Sequence, residues 1–100
     1  DEMAAAGLAA GKCENVKPPR VAAAPIALEC KHLETLRLPK SSRGTPNHVV
    51  IGQVVGIHVA DAVITDGIID IAKIRPLARL GYLDFAVIEP SAIFSMPRPD

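Results

Sequence analysis

Between residues 47 and 61 the chain is dense in β-branched side chains on both alternating faces, and no other feature restricts the fold as much. Val50, Val54 and Ala60 fall on one face; Val49, Ile51, Val55, Ile57 and Val59 fall on the other. Such a strand has to be covered on both sides. In a small barrel one face fills the interior, so the other requires a helix, another segment or a second subunit. A homodimer interface through this strand, from Asn47 to Asp61, is the expectation. Gly52 and Gly56 share a face with His48, where the missing side chains permit either a bulge or the close approach of another group.

An alternating segment precedes this strand. From residue 26 to residue 38 the even positions are Ile26, Leu28, Cys30, His32, Glu34, Leu36 and Leu38, and the odd ones are Ala27, Glu29, Lys31, Leu33, Thr35 and Arg37. A period of two predicts a strand with one buried face, the even one, with Cys30 packed on it. Residues 39–46 hold Lys40, Ser41, Ser42, Arg43 and Gly44 between two prolines, which predicts an exposed hairpin loop. Lys17-Pro18-Pro19-Arg20 cannot be helix interior, so residues 18–25 form a stiff connector. Residues 1–17 are an Ala-rich, loose lead-in, with a short helix that starts on Asp1 and Glu2, runs to about Leu8 and ends by Gly11. Opening on Asp1, the chain reads as cut from something longer.

Downstream, Asp66-Gly67 is a strong turn dipeptide, and Asp70 can cap a short helix over residues 71–74 that Arg75-Pro76 ends. A last strand over residues 85–88 precedes a proline-rich tail. Together these give three or four strands and one or two short helices in a single domain, too few strands to close a barrel.

Composition removes several function classes. A formal net charge of zero and three aromatics, Tyr82, Phe85 and Phe94, leave neither the basic groove nor the stacking platforms of a nucleic-acid binder. The longest apolar run, residues 49–63, is too short to span a bilayer and contains Gln53, His58 and Asp61. Cys13 and Cys30 form no C-x-x-C pair, so a reduced, cytoplasmic setting is expected. The chain has no G-x-S-x-G elbow, P-loop or G-x-G-x-x-G fingerprint, which leaves hydrolase, triphosphatase and Rossmann readings without support.

Few side chains offer chemistry. His48 opens a strand just after a loop, where an imidazole can bond a ligand's phosphate or carbonyl, or simply the loop backbone. Arg79 and Tyr82 can meet a ligand edge, or can be a surface arginine and a rim tyrosine. Lys17 and Arg20 are read as solvated. His48 and His58 stand about 33 Å apart along an extended strand, so they cannot share a zinc with Asp61 and Asp66. Cys30 and His32 are separated by roughly 6.5–7 Å on one strand face, too far for an activated nucleophile. No catalytic residue and no metal ligand is assigned.

The ordered segments carry a family resemblance. Val16-Lys17-Pro18-Pro19-Arg20-Val21 and Ala24-Pro25-Ile26-Ala27-Leu28-Glu29-Cys30, then Asn47-His48-Val49-Val50-Ile51-Gly52-Gln53-Val54-Val55-Gly56-Ile57-His58-Val59, then Ile74-Arg75-Pro76-Leu77-Ala78-Arg79-Leu80-Gly81-Tyr82, are similar to the C-terminal half of flavin-reductase-like, FMN-binding split-barrel proteins. Each motif alone is weak; their order is specific. The resemblance implies an antiparallel Greek-key split β-barrel, here a partial one, that dimerises and binds FMN noncovalently. It implies hydride transfer from NADH or NADPH to flavin, and a flavin-dependent oxygenase as partner. Asn47-His48 stands where many such reductases have Gly-Asp-His, with Asn47 at the Asp position. Asn47, His48, Arg79 and Tyr82 are therefore the expected cofactor-binding residues. The alternative is a non-catalytic split-barrel module that binds flavin or only oligomerises.

Overall fold

A computed structural model describes all 100 residues and is mainly β, with two four-residue α-helices. The chain divides into two compact units, Asp1–His58 and Val59–Asp100. Its strands pair two by two in four open sheets, as a partial barrel requires.

The first unit opens with α1 (Glu2–Ala5), where the Asp1 carboxylate accepts from the Met3 amide at 3.0 Å. The helix is shorter than the sequence predicts. Gly7 takes φ +72°, a left-handed conformation open to glycine, and stops it well before Gly11. The expected loose lead-in and connector also pair with each other: β1 (Ala10–Gly11) lies antiparallel to β2 (Arg20–Val21), with Gly11 opposite Arg20. A side chain at Gly11 would meet the Arg20 side chain at 3.2 Å, so the glycine lets the two segments close.

The long alternating segments form as expected. β3 (Ile26–Leu38) and β4 (Asn47–Val59) make one two-stranded sheet. Residues 39–46 link them, with Ser41 accepting from Gly44 at 2.8 Å and Gly44 at φ +76°. Gly52 is explained by close approach, since a Cβ there would lie 3.2 Å from Cys30 Cβ.

The expected burial of the even face of β3 is not observed. Cys30 is exposed and Glu29, on the odd face, is the buried residue. Hydrophobicity alternates as expected, but beyond Ile26 the even face of β3 is exposed, and residues 14–15 close over Glu29 alone on the odd one. Leu28, Leu36, Val50 and Ile57 are likewise exposed. An open apolar ribbon of this kind calls for covering by further protein.

The second unit is built from short local elements. A 3-10 turn (Asp61–Val63) leads into β5 (Ile64–Thr65), which pairs antiparallel with β6 (Ile68–Ile69) across Asp66-Gly67. Both turn residues have positive φ, 51° and 77°, the backbone that matches the twist of a two-residue hairpin. Asp70 caps α2 (Ile71–Ile74) by accepting from Ala72 N at 3.1 Å, and Arg75, at φ +52°, ends it before Pro76. β7 (Leu77–Arg79) then pairs antiparallel with β8 (Phe85–Val87). Val63 is the buried hydrophobic residue of this unit, its carbonyl accepting from Asp70 N at 2.8 Å.

Candidate functional site

The most connected polar group in the first unit is the Glu29 carboxylate. Leu28 and Cys30 flank it on the opposite strand face, so the alternation of β3 turns Glu29 alone toward the segment that follows β1. There Glu14 N donates to Oε2 at 3.0 Å and Asn15 N donates to Oε1 at 2.6 Å. His58, near the end of β4, brings Nε2 to Oε2. The carboxylate is thus buried to 2% exposure with hydrogen bonds on both oxygens, the condition under which a buried acid is tolerated. The Glu14 backbone N–H is the largest influence on its titration. With His58 and the Asn15 N–H it holds the carboxyl down at about 2, against the opposing effect of burial.

Gly56 permits this geometry. A Cβ at that position would stand 2.8 Å from Asn15 Nδ2 and 3.2 Å from Glu29 Cδ. The glycine lies two residues before His58 on the same strand face, so β4 can press against the 14–15 turn and present its imidazole in one step.

Cys13 completes the group: its thiol, a Glu29 oxygen and a His58 ring nitrogen all lie within 4.8 Å of one another. Cys13 and Glu29 also line a cleft of about 450 Å³ whose other walls include Val16, Pro18, Pro19 and Arg20. The Nε–H of Arg20, one of these lining residues, is buried without a partner.

The four residues expected to bind a cofactor occupy other places. Asn47 and His48 are exposed at the start of β4, and Asn47 Nδ2 donates to Pro39 O at 3.3 Å, tying the strand to the loop before it. Arg79 and Tyr82 belong to the second unit. Arg79 donates to Tyr82 O at 3.1 Å and lies 5.4 Å from the centre of the Phe85 ring, a cation–π arrangement. Tyr82 is 94% exposed and takes φ +57°, an uncommon conformation for a tyrosine that the Arg79 bond to its carbonyl helps to hold. Each pair is joined locally.

The sequence reading did not find Cys13, Glu29 and His58. In the sequence His58 stands out only as a rejected zinc partner of His48 and as part of an apolar family-like segment, and Glu29 as a polar strand position within another. A trace was present, since Gly56 and His58 share a face, but nothing local connects that face to residues 13–15.

No family model matches the chain. It is 33% identical over 98 residues to an uncharacterized protein of Halalkalibacterium halodurans, covering 98% of this chain and 46% of that protein. Its fold is similar to nitrilotriacetate monooxygenase component B from Bacillus cereus, with a TM-score of 0.82 and 26% identity, over 95% of this chain and 46% of that one. The chain therefore spans just under half the length of each. Its fold is flavin-reductase-like, a mainly antiparallel partial barrel equivalent to about half of such a domain. No helix is long and apolar enough to cross a membrane.

Proposed function

We propose that this chain is the C-terminal part of an FMN-dependent oxidoreductase of the NAD(P)H:flavin reductase type. The observation that carries the reading is the fold shared with a monooxygenase component over 95% of the chain. The donor set fits the cofactor in kind. The exposed Asn47 amide and His48 imidazole offer hydrogen bonds to flavin or nicotinamide carbonyls, and the Arg79 guanidinium suits an anionic edge. FMN, when bound, would accept a hydride from NADH or NADPH. The chain's own side chains bind and orient; the cofactor carries the redox chemistry.

The protein works as a cytoplasmic homodimer in this reading, with the strand from Asn47 to Asp61 at the interface, and delivers reduced flavin to a partner oxygenase. The exposure of Val50, Val54 and Ile57 supports an interface there. The same exposure supports the second reading, a module that binds flavin or only oligomerises. Anaerobic mixing of the full-length protein with FMN and NADH separates the two. Loss of flavin absorbance at a protein-dependent rate is expected, and tight FMN binding without reduction would leave the non-catalytic module.

A further inference from the structure

Cys13, Glu29 and His58 bring a thiol, a carboxylate and an imidazole from three separate segments to one point, with ligand atoms within 4.8 Å of one another. We propose that this cluster is a binding site for a divalent, borderline-soft metal ion of the zinc class. The proposal is independent of the flavin reading.

The donor set is the first reason. Sulfur, nitrogen and oxygen donors together are the ligands zinc takes, at roughly 2.0–2.3 Å, which sets donors roughly 3.3–3.8 Å apart around a tetrahedral ion. Donors already within 4.8 Å reach that spacing by side-chain rotation. Charge is the second: a thiolate and a carboxylate balance a dication with a neutral imidazole, so the loaded site is neutral and tolerates its half-buried surroundings.

Orientation is the third. Glu14 N–H and Asn15 N–H fix the Glu29 carboxylate through its two oxygens, the outer-shell support that ligating carboxylates receive. The His58–Glu29 hydrogen bond marks the position where the ion would take the place of the shared proton. Three protein ligands leave a fourth position, and the cleft lined by Cys13 and Glu29 gives an ion a path to it.

Cobalt(II) is the probe, added to the full-length protein in its reduced form. The expected result is one bound cobalt with a thiolate-to-metal charge-transfer band, displaced by one equivalent of zinc. Cys13→Ser should abolish the band and weaken zinc binding by on the order of 100-fold, while Cys30→Ser, on the exposed strand face, should leave both unchanged. A second measurement needs no variant. Zinc should slow alkylation of Cys13 by at least about 10-fold, mapped by peptide mass spectrometry, and leave Cys30 at its free rate. Absence of a thiolate band in the unsubstituted protein, its survival in Cys13→Ser, or equal zinc protection of the two cysteines would each overturn the proposal.

Discussion

The two units of this chain are held by opposite kinds of interaction. In Asp1–His58 the decisive bonds are long in sequence: Glu29 gathers Glu14 and Asn15 from 15 and 14 residues away and His58 from 29. In Val59–Asp100 most are short: the Asp66-Gly67 turn, the Asp70 cap two residues from its amide, and the Arg79 bond to Tyr82 three residues on, with the exposed Arg75–Glu89 ion pair as the long-range exception. Closing a longer loop costs more chain entropy, and several bonds converging on one buried group offset that cost better than a single exposed pair does. Glu29 is that group. The first unit should therefore fail as a whole when one side chain is removed, and the second should lose its elements one at a time.

The sharpest break is Glu29→Ala. It leaves the Glu14 and Asn15 amides and the His58 imidazole without their acceptor, and an unmet buried donor costs more than an ordinary bond contributes. Hydrogen exchange at the Glu14 and Asn15 amides should accelerate by on the order of 100-fold, whereas exchange in the β5–β6 hairpin stays at its original rate. Equal acceleration in both units would erase the distinction drawn between them.

This contrast also decides what could be read beforehand. The second unit was legible because its signals are local chemistry: Asp-Gly demands a positive-φ turn, an Asp before an apolar run caps a helix, and a residue before proline ends one. Its turn, its cap and the helix over residues 71–74 lie where the sequence places them. β3 is legible from its period of two and β4 from its β-branched residues on both faces, but not which face is covered. Alternation distinguishes the faces without saying what lies against either, and here residues 14–15 bury only Glu29, on the odd one. The pairing of β1 with β2 had no pattern to announce it, being two residues long on each side. At the candidate cofactor residues, periodicity gave position and only the family resemblance gave a role.

Acid should separate the units as well. Glu29 titrates at about 2 in the fold against an ordinary 4.5. A depressed carboxylate contributes stability that is fully present above its unfolded value and is lost as the pH falls through its folded one. Protection of the Glu14 and Asn15 amides should accordingly hold down to about pH 4.5 and decline toward about pH 2. In Glu29→Gln, whose amide does not titrate, that decline should flatten. An identical acid profile in this variant would assign the loss to another carboxyl group.

Gly56 and Gly52 test how closely the first unit is packed around its centre. Gly56→Ala puts a Cβ 2.8 Å from Asn15 Nδ2, the end of a side chain that can turn aside, and 3.2 Å from Glu29 Cδ, which its hydrogen bonds hold in place. Overpacking of this kind costs about 1–3 kcal/mol. Gly52→Ala meets Cys30 Cβ at 3.2 Å, beside an exposed residue and with no buried group against it, and should cost about 1 kcal/mol, the low end of that range. Urea denaturation of the two variants gives the order directly; a larger loss at Gly52 would move the stiff point of the unit away from Glu29.

The smallest effect belongs to the second unit. Asp70 accepts from Ala72 N at 3.1 Å and from Thr65 Oγ1 at 2.9 Å, so it joins the helix start to the hairpin just before it. Asp70→Ala removes one cap and one exposed hydroxyl bond, a loss of about 1 kcal/mol. Asn caps as well as Asp, so Asp70→Asn should recover most of it. The readout is exchange at the Ala72 amide. It should rise in Asp70→Ala and return in Asp70→Asn, with the Glu14 and Asn15 amides unmoved in both. If Asp70→Ala also released those two amides, the local character assigned to the second unit would be wrong.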